Sequence, residues 1–370
     1  MRKATITIHP AAISHNLLQV KHRVKSAKVL AMVKANAYGH GVAAVLPALQ
    51  DADGIGVASF TEALEARQLG WDKTIGLVEG VFSAGEWQQA IDNHCSCVIH
   101  HRPQLDWALA MLPPSDSPTR MVWLKYNTGM NRLGFDAEGV IKAAQLLHDA
   151  GYQLVLTTHF ANADQRDHPL NDIQIQRFSN MLSHLREHID PDIKGSLCNS
   201  AAVINFPEYA YDWVRPGIML YGSSPVSDKQ AYELNLQPAM EFSAHIMALQ
   251  TVNTGEAIGY GSRWIAGEPT RTALVSIGYG DGYPRVINDK AYVCVIDHNR
   301  QNNYKCPIIG RVAMDMLVID LSSAPVDIAL DSQVILWGAT PHVDEVASHA
   351  GTIGYELLCR LSARPERLQA

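Results

Sequence analysis

The sequence predicts an α/β fold in two parts: a (β/α)8 TIM-like barrel over residues 1–230 and a C-terminal, mainly β domain over residues 231–370. Three observations carry this prediction. A chain of 370 residues is long for one hydrophobic core, and cores divide into domains beyond about 250–300 residues. In the first part, short apolar runs alternate with helical patterns, as parallel βα units require. From about residue 238, strand-like runs separated by Gly, Pro and Asn turns take over.

The barrel strands read in order. They are VLAMV (29–33), GIGVAS (54–59), TIGLVEG (74–80), CSCVIH (95–100), MVWLKY (121–126), YQLVLTTH (152–159), GSLCNS (195–200) and YDWVRPG (211–217). Amphipathic segments such as TEALEARQLG, SAGEWQQAIDN, AEGVIKAAQLLHDA and DIQIQRFSNMLSHLREHI link them, and AAVINFPEYA leaves room only for a short helix. Eight such units suit a closed barrel better than an open sheet. The second part reads as strands MEFSAHIMALQTV, TRTALVSIGYG, AYVCVIDH, CPIIGRVAMDMLVIDL and SQVILWGA, with short helices at VDEVASHAG and GYELLCRLS.

Composition narrows the function. Hydrophobic residues make up 47% and charged residues 18%, the balance of a folded globular chain. The formal charge of −7 is spread without a basic block, which excludes nucleic acid as an expected partner. The start MRKATITIHPAA has no apolar h-region. No apolar run approaches the roughly 20 residues of a membrane span. No membrane association is expected, and a cytoplasmic location is the default. Six cysteines are too few for a disulfide scaffold. The cluster NHCSCVIHH (93–101) has metal-ligating residue types but no matching second pair. It reads as a core strand with a polar end, and no metal is expected.

The stretch VLAMVKANAYGHG (29–41) poses the chemical question, because a buried strand runs into Lys34. Unpaired burial of an ammonium is costly. Either Lys34 is a surface lysine at a strand end, or it is a pocket amine able to form a Schiff base with a carbonyl such as the aldehyde of pyridoxal phosphate. In a barrel the C-terminal strand ends face the active site. Those ends supply Lys34, Lys125 with Arg132 seven residues on, His159, Asn199 with Ser200, and Arg215. Two lysines, two arginines and a histidine at one mouth repel each other unless anions sit there. That is a pocket for a phosphate and a carboxylate. The Ser200 hydroxyl and the amides of Gly217 and Ile218 are the phosphate candidates.

The motifs AMVKANAYGHG, WLKYNTGMNRLGF, CNSAA, VRPGIMLYG, IGYG, IGYGDGYPR, GRVAMDM and TIGYELLCR resemble those of the pyridoxal-phosphate-dependent (fold type III) bacterial alanine racemases, in order and from near the N-terminus to RPERL. The resemblance implies a homodimer with shared active sites that interconverts L-alanine and D-alanine by two bases, supplying or consuming D-alanine for cell-wall or amino-acid metabolism. By it, Lys34 is the Schiff-base lysine and one base, and Tyr260 of the partner subunit is the other. Tyr38, Ser200, Gly217, Ile218 and Tyr355 correspond to the phosphate ligands, and Arg215 to the arginine beside the pyridine nitrogen. His159 links Tyr260 to Arg215. Arg132 and the Met314 amide correspond to the substrate-carboxylate contacts, with Asp315 beside them. Tyr279 corresponds to an entrance tyrosine of the partner chain. Lys125 corresponds to a lysine carried as N-carboxylysine in many members, where it braces the arginine; an unmodified lysine with a chloride bound in the same place is the alternative.

Asn127, Asn131, Gly280 and Ala313 depart from the family's commonest residues. Ala313 leaves more room near the substrate carboxylate, so a broader racemase acting on Ser, Lys or Arg is the alternative. Tyr260 needs its phenol, ordinarily near pKa ~10, brought down. A cationic His159 and Arg215 are expected to do this. An arginine at the pyridine nitrogen has donors only. It favours the unprotonated ring, which suits racemisation better than transamination.

Overall fold

The computed structural model describes residues 4–297 and 302–370; the basic start at 1–3 and the His298 end of the predicted 291–298 strand lie outside the described residues. The chain forms two units. One contains residues 13–37 and 41–236, and the other contains the described residues to 12, residues 38–40 and residues 237–370.

The first unit is the predicted parallel barrel. Its strands are Lys28–Met32, Gly54–Val57, Thr74–Leu77, Cys95–Ile99, Met121–Lys125, Gln153–Thr157, Lys194–Ser196 and Trp213–Val214, each beside its chain neighbour. The last pairs with the first, in the register Lys28↔Trp213. The seam between the seventh and eighth is closed by backbone bonds Asp212 N to Gly195 O (3.0 Å) and Arg215 N to Cys198 O (2.9 Å). Every strand is short and nearly all buried, because helices cover the outside and side chains fill the inside. Cys95 and Cys97 lie in a fully buried strand. Burial pushes the Cys95 thiol up to about 11.

The interior is asymmetric, and glycine placement is the reason. A Cβ at Gly56 would lie 2.5 Å from Met32 Sδ, and Cβ atoms at Gly54 and Gly76 would each lie 3.0 Å from a Leu30 methyl. The second and third strands therefore give up side-chain volume to Leu30 and Met32. Leu30 packs in one cluster with Val98, Val155, Trp123 and Trp213. The two indoles meet edge-on with centroids 5.4 Å apart, and Trp123 Nε1 donates to Ser96 Oγ at 2.9 Å. A helix the sequence reading does not place, Pro10–Val24, precedes the first barrel strand.

The second unit is antiparallel and also closes. The long strand Met240–Val252 is central. Its first half pairs with Gln333–Trp337 and its second half with Thr270–Val275, with a register shift between Ile246 and Ala248. The circuit continues through Leu317–Asp320, Asn303–Ile309 and Tyr292–Ile296 back to Gln333–Trp337. Closure of this kind leaves few bare strand edges. The strand Thr5–Ile8 joins antiparallel to Met240–Val252 (Thr5↔Ser243) and parallel to Glu366–Gln369. Among the described residues no helix is long and apolar enough to cross a membrane.

The barrel core gives a direct expectation. Trp123→Ala removes an indole that is 1% exposed and one donor to Ser96 Oγ, which keeps its own bond to Met121 O. The lost indole should cost about 3–5 kcal/mol in urea denaturation. A loss below about 1 kcal/mol would show that the interior can collapse around the gap.

Candidate active site

The barrel brings the predicted basic groups together. Lys34 lies just past the first strand, which ends at Met32, and Lys125 is the last residue of the fifth. His159 follows the sixth, Ser200 the seventh and Arg215 the eighth. Burial and neighbouring charge show in the titration of two of them. The Lys125 ammonium is pushed down from 10.5 to about 7, first by burial, then by Arg215, Arg132 and Lys34, with Glu79 acting in the other direction. His159 is held well below its ordinary value of 6.5, first by burial and then by Arg215, Lys125, Arg132 and Lys34. This corrects the expectation of a cationic histidine: beside three or four stronger cations, the weakest base gives up its proton first. The positive charge at this point belongs to Arg215.

Arg215 is buried and fixed. Nη1 donates to Ser196 O (2.9 Å) and to Ser196 Oγ, while Nη2 donates to Thr158 O and, at 3.5 Å, to Leu197 O. Burial lowers the guanidinium to about 10, so it stays charged at neutral pH. Four acceptors at the ends of two neighbouring strands set its plane. Ser200 Oγ accepts from Gly217 N at 2.7 Å, which brings Ser200, Gly217 and Ile218 into one corner. Asn199 supports that corner by accepting from Ala202 N (3.0 Å) at the start of the helix Ser200–Asn205. Arg132 is exposed.

After Lys34 the backbone turns the unusual way. Ala35, Asn36, Ala37 and Tyr38 have φ of 54°, 53°, 53° and 52°. They form one left-handed turn without a glycine, which costs roughly 1–2 kcal/mol per residue. The hydrogen bonds that hold it are specific. Ala35 N donates to Glu62 Oε1 (2.7 Å), Gly41 N to Asn36 O (3.0 Å), and Val42 N to Asn36 Oδ1 (3.0 Å). Sequence reading misses Glu62 as a site residue. The pattern Ser59-x-x-Glu62 does signal a helix start, but nothing local signals the reach to Ala35.

The antiparallel unit holds the phenols and the candidate substrate amide. Tyr38 is buried, with its ring centroid 6.2 Å from that of Tyr355. Burial, and then Tyr355, raise its phenol well above 10.0. Tyr260 stands at the tip of the hairpin formed by Ala257–Ile258 and Trp264–Ile265, and it is 75% exposed. The turn Tyr279–Asp281 docks on the loop at 313–315. Tyr279 N donates to Ala313 O (3.1 Å) and Gly280 N to Met314 O (2.9 Å). A Cβ at Gly278 would sit 2.3 Å from Ala313 O, so glycine is required there. Asp315, expected beside the substrate carboxylate, is bound by a residue the sequence reading does not single out: Arg364 Nη2 donates to Asp315 Oδ1 at 2.7 Å. Arg364 Nε also lies 3.5 Å from the buried Asp281. Asp315 thus acts on the loop that carries Met314. Among the described residues no group of three or more His, Cys, Asp or Glu is placed to hold a metal.

The shift of Lys125 has a sign that can be measured. Between pH ~7 and 10.5 the unfolded chain keeps a proton on Lys125 that the folded chain has released, so stability rises with pH across that window. Urea denaturation of the parent, less that of Lys125→Met, should climb from about pH 7 to 10.5. A flat difference would mean that Lys125 is not forced neutral.

Comparison with known proteins agrees with this fold. Residues 8–225 match the family model of the alanine racemase N-terminal domain, and residues 239–369 that of the C-terminal domain. The alanine racemase of Psychrobacter sp. (strain PRwf-1) is 56% identical over 372 aligned residues, covering 99% of each chain. The alanine racemase structure from Acinetobacter baumannii superposes with a TM-score of 0.93 at 46% identity, covering 100% of both chains. That of Bartonella henselae, which has covalently bound pyridoxal phosphate, does so with a TM-score of 0.87 at 26% identity, again covering 100% of both. With matches along the whole chain and in both units, this protein belongs to the alanine racemase family.

Proposed function

We propose that the chain is a pyridoxal-phosphate-dependent isomerase that interconverts L-alanine and D-alanine with two bases on opposite faces of the substrate Cα. The observation that carries the reading is the barrel mouth, where burial first, and then Arg215, Arg132 and Lys34, lower the Lys125 ammonium and the His159 imidazolium. The donor set fits the cofactor. Ser200 and the amides of Gly217 and Ile218 are suited to a phosphate, and the family resemblance assigns the phenols of Tyr38 and Tyr355 to the same group. The Arg215 guanidinium, held through both Nη atoms, keeps Nε–H for the pyridine nitrogen, and a donor there favours the unprotonated ring.

Pyridoxal phosphate supplies, when bound on Lys34, an electron sink that makes the alanine Cα–H acidic. The chain supplies proton transfer and orientation. Arg132 pairs with the substrate carboxylate, and the amide of the partner subunit's Met314 donates to it. With the carboxylate fixed, Cα has one face toward Lys34 Nζ and the other toward the phenol of the partner subunit's Tyr260. One group removes the proton and the other returns one, which inverts the centre. Neutral His159 relays the field of Arg215 to that phenol by hydrogen bonding, and a neutral imidazole has no extra proton to lose in the cycle. Lys125, its ammonium lowered to about 7, would add carbon dioxide through the lone pair of its neutral amine and lose a proton to solvent, giving N-carboxylysine. The resulting carboxylate would brace Arg132 and relieve the crowding. The same two-subunit arrangement makes the working unit a homodimer, with Tyr279 of the partner subunit at the entrance.

Purified protein supplied with pyridoxal phosphate should form D-alanine from L-alanine, and borohydride should fix the cofactor on Lys34 in a peptide map. A reduced adduct on Lys125, or no D-alanine, would sink the assignment. The shared site is tested separately. Lys34→Ala and Tyr260→Phe chains should each be nearly inactive, and mixing them should restore activity through the one hybrid site with both groups intact. Silence after demonstrated subunit exchange would mean that each chain supplies its own pair.

A further inference from the structure

Glu62 does more in this structure than cap a helix. A capping box needs one carboxylate oxygen on the amide at the N-cap, and Glu62 Oε2 meets that need by accepting from Ser59 N (3.3 Å) and Ala58 N (2.8 Å). The reciprocal bond, Glu62 N to Ser59 Oγ, is 3.3 Å. The second oxygen is turned away from the helix Phe60–Gln68 and accepts from Ala35 N at 2.7 Å. Ala35 directly follows Lys34 and is the first of the four left-handed residues. One carboxylate therefore ties the end of the second barrel strand to the strained turn that follows the first. Its geometry is doubly determined, so it can hold an amide in a direction that the local backbone disfavours.

We propose that Glu62 is a positioning residue for Lys34. By fixing the Ala35 amide it sets the peptide plane that joins Lys34 to the left-handed turn, and with it the angle at which the lysine enters the barrel mouth. The proposal rests on the reading of Lys34 as the cofactor lysine, and it adds a residue that acts on the lysine without touching cofactor or substrate. A carboxylate is needed because three N–H groups converge on it. Glutamine has one acceptor oxygen, and its NH2 faces either Ala35 N–H or the N-cap amides.

The test uses the loaded enzyme and compares two variants that damage the same helix start. Ser59→Ala removes the Oγ cap and leaves the bond to Ala35. Glu62→Gln breaks one side of the carboxylate bridge. Hydroxylamine, a competing amine, draws the cofactor off Lys34 as its oxime, and loss of visible absorbance gives the rate. Glu62→Gln should speed release about tenfold, as expected for a lost charged hydrogen bond, and should lower kcat more than it changes KM for alanine. Ser59→Ala should lower the Tm comparably while leaving release at the parent rate. Release at the parent rate in Glu62→Gln, or equal acceleration in both variants, would overturn the proposal. If Glu62→Gln does not fold, Glu62→Asp, which keeps the charge and withdraws it by one methylene, takes its place with the same expectation. Borohydride mapping of the parent keeps the two levels apart. An adduct elsewhere than Lys34 refutes the functional reading itself, whereas an adduct on Lys34 with unchanged release in the variant refutes only the role of Glu62.

Discussion

Burial of basic groups beside one another at the barrel mouth is the constraint on which the rest of the site depends. Parallel strands of a closed barrel end on one face, so basic residues at successive strand ends cannot avoid each other. An arginine is not deprotonated in this setting, which leaves histidine and lysine to relieve the strain. His159 yields first and Lys125 next, at about 7, while Arg215 remains protonated with a value near 10. The order follows from intrinsic basicity, with burial acting on all three. A site built this way is prepared for anions and supplies neutral lysine amine near neutral pH.

Much of the architecture was legible because it is local. Each barrel strand is a run of apolar residues between turn signals, and the helices have an apolar face. The strand that begins the chain was not legible as part of the C-terminal unit. Thr5–Ile8 pairs with Met240–Val252 and Glu366–Gln369, and such a pairing leaves no mark in the strand itself. The helix Pro10–Val24 was missed for another reason. It begins on Pro10, which suits a helix start, but its first turn has no acidic residue to reinforce the signal.

The candidate site was legible in its charged residues and illegible in their supports. Lys34, Lys125, His159, Ser200 and Arg215 stand at strand ends, and the pattern of strands is enough to collect them. The left-handed turn at 35–38 could not be read, because Ala and Tyr carry no preference for positive φ. Its acceptor Glu62 lies 27 residues away. The pairing of Asp315 with Arg364 spans 49 residues. The charge of His159 is not legible either, since a residue's type states its basicity but neither its burial nor how many cations surround it.

Both units use one device to hold functional groups on short, irregular segments. In the barrel, the carboxylate of Glu62 binds amides from two strand ends. In the antiparallel unit, the guanidinium of Arg364 lies between Asp281, in the turn that carries Tyr279, and Asp315, beside Met314. Loops left to themselves would move by more than proton transfer tolerates, since reacting atoms need placement to within about 0.5 Å. Gly280 shows how closely the second device is fitted. A Cβ there would fall 2.3 Å from Arg364 Nη1 and 2.9 Å from Met314 O. A side chain must be absent at 280 for the arginine to lie where it does. The glycine at this position therefore makes room for Arg364 and for the loop that Arg364 holds.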